Sequence, residues 1–374
     1  MSLRPAWAEV DLSAIASNMK QLRRAAAPGA RIMGVVKANA YGHGAVPVSN
    51  AVLRNGADYL GVAILDEARE LRQAGITAPI LILGYTPCEQ AEEAVNLDIT
   101  QTVYSWEGAH AISQAAVKLK KHAKIHIKVD TGMGRLGFPA DESSVAEIIK
   151  AAALPGIAVE GIMTHFSVAD TADKEYTYHQ YALFSEVISQ LRKRGFPDVI
   201  KHAANSAALI DLPGVHLDMV RAGISVYGLY PSQEVQKGNL DLKPALSLKA
   251  RVAYVKTVPA DTSISYGRTF VTKGETRIAT IPVGYADGYS RLLSNKAHAL
   301  AHGARVPVIG IVCMDQLIID ISEVPEVRVG DTVTLIGREG EQSVTADELA
   351  DLIGTINYEI VCMISSRIPR LYVG

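Results

Sequence analysis

Lys37 ends the apolar run RIMGVV (31–36) and opens the string KANAYGHG (37–44). A lysine placed there carries its amine into an apolar setting. Burial disfavours the ammonium, lowers its pKa and suits the amine to Schiff-base chemistry with a carbonyl. A single lysine at a strand end is most often an ordinary surface residue. The alanines and glycines that follow favour the chemical reading here, because they let backbone approach a ligand closely.

Four other apolar runs also end in polar groups. Lys128, Asp130 and Arg135 lie in KVDTGMGRLG (128–137), and His165 follows Thr164. Farther on, His202 leads to Asn205 and Ser206, and Arg221 leads to Gly223 and Ile224. Any one of these is weak alone; a lone histidine such as His165 is more often a satisfied core residue. Five strand ends with competent groups point to one shared site. Tyrosines mark the second half of the chain: Tyr266 in ISYGRTF, Tyr285 and Tyr289 in VGYADGYSR, and Tyr358 in TINYEI, with Met314 and Asp315 in VCMDQ. Most of the 15 tyrosines are expected to pack as amphipathic core or interface residues.

Other patterns lead nowhere. GMGRLG (132–137) matches a dinucleotide fingerprint, but Phe138-Pro139 follows where a helix must open. HALAH (298–302) spaces two histidines by four but lacks the glutamate of a zinc protease motif. His122 and His126 straddle a strand start, and no metal site is expected.

The elements that must position these groups alternate. Asp11 is a good N-cap for a helix over 11–26, whose Leu12, Ile15, Met19 and Leu22 share one stripe. Strands are predicted at 31–37, 58–63, 79–83, 99–103, 124–130, 157–164, 199–203 and 215–220. Helices fall at 46–55, 66–74, 88–96, 105–120, 142–153 and 174–194. The strands lack strict alternation, as strands buried on both faces do. Eight strand–helix units make the fold class α/β, with a TIM-type (β/α)8 barrel over 1–235; an open doubly wound sheet is the competing arrangement. The polar stretch SQEVQKGNLDLKP (232–244) reads as a linker. Beyond it, runs at 246–258, 276–283, 305–312, 317–321 and 331–336 and one short helix at 345–353 suggest a mostly-β domain over 236–374. Thr345 is its N-cap, with Glu348 completing a capping box.

Composition bounds the function. The 374 residues are 48% apolar, enough for two cores, and the formal charge is only -2. Without a basic excess, nucleic acid is not an expected partner. Three scattered cysteines fit a reducing compartment. The N-terminus lacks a signal-peptide pattern, and no run approaches a membrane span, so a cytoplasmic protein is expected.

Taken together, VVKANAYGHG and the strings above resemble bacterial alanine racemases, in order and over essentially the whole chain. The resemblance implies a barrel that carries pyridoxal 5'-phosphate, a β domain that completes the site, and a homodimer with sites shared between chains. It implies that Lys37 holds the cofactor as an aldimine and acts as one base, with Tyr266 as the opposing base. His165 and Arg221 would link to Tyr266, and Arg221 would also face the pyridine nitrogen. Tyr41, Ser206, Tyr358 and the amides of Gly223 and Ile224 would hold the phosphate. Arg135, Met314, Asp315 and Tyr285 would serve the substrate, the last three from the partner chain, and Lys128 matches a lysine carbamylated in some members. The implied reaction interconverts L- and D-alanine and supplies D-alanine for peptidoglycan.

The sequence is compatible with three other readings. A serine-preferring racemase is one, although such relatives tend to carry asparagine at the position of Tyr358. A non-catalytic pyridoxal-phosphate-binding protein resembles the barrel alone. A fold-related decarboxylase has different substrate-binding strings. Arg268 and Phe270 receive no role.

Overall fold

The computed structural model describes residues 4–374. Contacts divide it into two compact units. One comprises residues 15–40 and 45–243; the other comprises residues up to 14, the short segment 41–44, and 244–374.

The first unit is a barrel of eight parallel strands: Arg31–Val35, Tyr59–Val62, Ile80–Ile82, Thr100–Val103, Ala123–Asp130, Ile157–Met163, Ile200–His202 and Met219–Ala222. Each neighbouring pair from the first to the seventh forms a parallel ladder, and the eighth pairs with the first. Between the seventh and eighth strands, Asp218 N donates to Lys201 O at 3.0 Å and Arg221 N to Ala204 O at 3.0 Å. Helices alternate with the strands, including Ala45–Arg54, Leu65–Gln73, Trp106–Leu119, Glu142–Ala152 and Glu175–Lys193. The helix Leu12–Ala25 begins where Asp11 Oδ1 accepts from the amides of Ser13 and Ala14. Its Ile15, Met19 and Leu22 are fully buried, as a single apolar stripe requires.

In this unit three elements depart from the sequence reading by more than one residue. The first strand stops at Val35, because the backbone after Lys37 turns left-handed. The eighth begins at Met219 rather than 215, since Pro213–Val215 winds into a 3-10 turn. Proline has no amide hydrogen to give a strand ladder. The helix expected at 88–96 is a 3-10 turn, Cys88–Gln90, followed by Ala91–Asn96.

The second unit is mostly β. One sheet orders Ala304–Pro307, His298–Ala301, Thr332–Glu339, Leu246–Arg251, Ala6–Asp11 and Arg370–Val373. The N-terminal strand AWAEVD therefore lies within the sheet, antiparallel to Leu246–Arg251 and parallel to Arg370–Val373. The run 246–258 is two strands rather than one. After Arg251 the chain leaves this sheet, and Tyr254–Val258 pairs with Thr276–Ile281, which pairs with Leu317–Asp320. Thr345 caps Ala346–Ile353 by accepting from Glu348 N at 3.0 Å, while the Glu348 carboxylate pairs with Arg305. Among the described residues, no helix is long and apolar enough to cross a membrane.

Candidate active site

Lys37 stands just past the carboxyl end of the first barrel strand, the end at which such barrels carry their chemistry. Ala38, Asn39, Ala40 and Tyr41 follow with φ between 52° and 53°. Left-handed backbone costs about 1–2 kcal/mol for each non-glycine residue and is seldom sustained. Polar contacts offset part of it. Glu67 accepts from Ala38 N at 2.6 Å through one oxygen and from Ala63 N at 2.7 Å through the other. Asn39 Oδ1 accepts from Ala45 N at 2.7 Å. Strain held in this way is characteristic of functional turns.

Arg221, at the end of the eighth strand, is buried. It donates to His202 Nδ1 at 3.0 Å, His165 Nδ1 at 3.0 Å, Thr164 O at 2.9 Å and Ala203 O at 2.8 Å. All four acceptors are neutral. Burial lowers its pKa to about 10, which still leaves it charged at neutral pH. Because arginine only donates, His165 must accept at Nδ1, so its proton sits on Nε2. Desolvation, and then the charges of Arg221, Lys128, Arg135 and Lys37, push His165 well below its ordinary range. These four basic groups therefore gather about one neutral imidazole, a setting suited to anions.

Lys128 lies in the same barrel interior, where its ammonium donates to Val129 O at 3.0 Å. Burial first, and then Arg221, lower its pKa to about 7. Asp130 accepts from Gly132 N at 3.0 Å and Gly134 N at 3.1 Å, shaping the loop that presents exposed Arg135. GMGRLG thus forms a loop that runs into the short strand Phe138–Pro139 and opens no helix. A second group forms where Ser206 Oγ accepts from Gly223 N at 2.8 Å, next to the 3-10 turn Ile224–Tyr227.

In the β unit, Tyr41 and Tyr358 come together, with ring centroids 6.1 Å apart. Gly42 makes this possible: a Cβ there would lie 2.2 Å from Val361 O, on the helix Asn357–Cys362 that carries Tyr358. Tyr266 sits at the tip of a hairpin, Ser263–Ile264 against Phe270–Val271. Ile264 packs with Val258, Ile278 and Ile309, and Phe270 lies against them, which anchors the hairpin and leaves Tyr266 70% exposed. Arg268 donates to Ser263 Oγ at 2.7 Å, so Arg268 and Phe270 serve the hairpin itself. Tyr285, Met314 and Asp315 form another group. Tyr285 N donates to Cys313 O and Ala286 N to Met314 O, each at 3.0 Å. Arg367 links Asp315, at 2.6 Å, to buried Asp287, at 3.4 Å, and Asp287 in turn accepts from Gly284 N.

The structure thus gathers Lys37, Lys128, Arg135, His165 and Arg221 in the barrel unit, with Ser206, Gly223 and Ile224 beside one another. It pairs Tyr41 with Tyr358 and groups Tyr285 with Met314 and Asp315 in the β unit. Sequence reasoning missed Glu67, Arg367 and Asp287. Glu67 gave one faint signal, an acid in the first turn of a helix directly after a barrel strand.

The family models for the alanine racemase N-terminal and C-terminal domains match residues 10–231 and 245–372. An alanine racemase of Methanococcus maripaludis is 54% identical over 372 residues, covering 100% of both chains. A solved alanine racemase of Clostridium difficile superposes with a TM-score of 0.95 at 45% identity, covering 100% of this chain and 97% of that one. An alanine racemase from Bacillus anthracis, solved with bound L-Ala-P, gives a TM-score of 0.95 at 41% identity, covering 100% and 96%. With two domain models that together span nearly the whole chain, and full-length relatives at about half identity, this chain belongs to the alanine racemase family of enzymes.

Proposed function

We propose that the enzyme interconverts L- and D-alanine with pyridoxal 5'-phosphate, using Lys37 and Tyr266 as two opposed bases, and supplies D-alanine for peptidoglycan. The observation that carries this reading is the cluster about His165. Its strand-end lysine, buried arginine and neutral imidazole suit an anionic cofactor bearing a basic ring nitrogen. The donors of the barrel unit fit: the hydroxyl of Ser206 and the amide of Ile224 suit a phosphate, and Lys37 offers the amine. The Gly223 amide donates to the Ser206 hydroxyl, which would leave the hydroxyl proton to turn to the anion.

When bound, the cofactor supplies the electron sink that makes an α-proton removable. Arg221 cannot give up its proton at working pH and would face the ring nitrogen as a donor only. That leaves the sink weak, which favours prompt return of a proton over side reactions. Inverting an α-carbon needs a group on each face, and Lys37 and Tyr266 provide them. His165 offers Nε2–H on the face away from Arg221, suited to holding the phenolic oxygen of Tyr266 in register. Arg135 would hold the substrate carboxylate, oriented by Lys128, whose low pKa suits carbamate formation.

Tyr266, Tyr285, Met314 and Asp315 would serve the barrel of a second chain in a homodimer. Their outward presentation supports this: Tyr285 is 42% exposed and Met314 54%. The Bacillus anthracis relative, solved with L-Ala-P, supports alanine as the substrate. Incubation with the cofactor and L-alanine in deuterium oxide tests the reading. Loss of optical activity with α-deuteration is expected. Binding of the cofactor with neither change for alanine, and both for serine, would move the assignment to serine.

A further inference from the structure

Arg221 does more than reach His165; it also begins a line of polar groups down the inside of the barrel. Its Nη1 donates to His202 Nδ1 at 3.0 Å. His202 Nε2 lies 2.8 Å from His126 Nδ1, the two rings nearly perpendicular and both fully buried. His126 Nε2 stands 3.4 Å from Glu160 Oε2, close enough for charge to act but outside hydrogen-bond geometry, and among the described residues it meets no hydrogen-bond partner. Glu160 also accepts from Thr100 Oγ1 at 3.3 Å and from Tyr59. Thr100 and Tyr59 open their strands, so Glu160 lies at the mouth opposite Lys37.

Two features of the sixth strand build this arrangement. Ile125 pairs with Val159 and His126 with Gly161, so Glu160 is the extra residue of a bulge. A bulge re-aims one side chain, here the carboxylate toward the barrel interior. At Gly161 a Cβ would lie 2.6 Å from His126 Nδ1. Only glycine there leaves the ring its place.

Arginine has no acceptor, which fixes every proton along the line. His202 must accept at Nδ1 and therefore carries its proton on Nε2. It donates to His126 Nδ1, so His126 also carries its proton on Nε2, directed at Glu160. Both rings are neutral, and both point the same way. Glu160 is the negative charge at the end of a line whose other end is a buried guanidinium with only neutral acceptors.

We propose that Glu160 is a positioning residue for Arg221, acting through His126 and His202 to hold the guanidinium and to fix one hydrogen-bond direction along the barrel. The inference rests on the proposed function only in taking Arg221 as the group to be held. The carboxylate polarises each ring so that its lone-pair end is the better acceptor toward Arg221. No proton can travel toward Arg221 along this line unless both rings reverse, so the line holds the arginine and does not feed it.

The test is ring-nitrogen NMR of the full-length protein with 15N-labelled histidine. In the wild type, His126 and His202 should both be neutral and protonated on Nε2. In Glu160→Leu the His202 Nε2–H should exchange with water about tenfold faster, the change expected for weakening one hydrogen bond in a chain. Glu160→Gln keeps a carbonyl acceptor and should restore wild-type tautomers and most of the protection. A cationic or Nδ1-protonated ring in the wild type overturns the proposal, and this result stands even if the leucine variant does not fold. Unchanged exchange in a folded leucine variant overturns it equally. Failure of Arg221 variants to alter the spectrum of bound cofactor would instead count against the proposed function and leave the tautomer result standing.

Discussion

Arg221 Nη2 lies 3.0 Å from His165 Nδ1, with the arginine as the obligatory donor. The histidine is thereby held neutral, and its single proton is directed away from the arginine. A general acid–base partner needs this kind of fixed orientation, which a freely rotating imidazole would not give.

Replacing that donor should change the chemistry as well as slow it. Arg221→Glu places an acid where the ring nitrogen would lie and removes four donated contacts. Racemisation should fall by at least ~100-fold, the usual cost of losing an oriented donor at a reacting centre. Pyruvate should appear as a side product, measured by coupled reduction. Unchanged product partition would remove the argument for a weakened sink.

The buried histidines predict a pH dependence of stability. His126, His165 and His202 all have folded pKa values below the ordinary 6.5, chiefly through desolvation. Below about pH 6.5 the unfolded chain therefore binds more protons than the folded one, so stability falls as pH falls. Thermal melts at steps from pH ~7.5 to ~5 should show a declining midpoint. A flat profile across that window would mean that these rings protonate freely in the fold.

Lys128, with a pKa of about 7, is largely neutral under mildly alkaline conditions and so can react with carbon dioxide. Labelled bicarbonate should give a carbamate signal in 13C NMR, absent from Lys128→Gln. That variant should also raise KM for alanine more than it lowers kcat, because Arg135 would lose the partner proposed to orient it. A signal that survives the substitution would place the carbamate elsewhere.

A shared site predicts complementation. Lys37→Ala and Tyr266→Phe homodimers should each be nearly inactive. After subunit exchange, half of the dimers are mixed, and each mixed dimer has one intact site, so about a quarter of wild-type activity should return. No recovery would confine each site to a single chain.

Much of this was legible in sequence because barrel chemistry follows strand ends. Lys37, Lys128, His165 and Arg221 could be read from where apolar runs stop. The groups that hold them were not legible. Glu67 reaches Ala38 and Ala63 by tertiary contact, and Glu160 turns inward only because of a bulge. The left-handed turn after Lys37 was hidden too, since alanine and asparagine do not announce positive φ as a run of glycines would. The strand Ala6–Asp11 escaped notice because its partners lie about 240 and 360 residues away, a pairing no local pattern encodes.

The two-base claim is tested most directly by proton exchange in Tyr266→Phe. The variant, loaded with cofactor, would be incubated separately with L-alanine and with D-alanine in deuterium oxide. The account predicts that one enantiomer exchanges its α-proton with retention through Lys37, that the other does not exchange, and that neither inverts. Exchange and inversion of both enantiomers at comparable rates would contradict it.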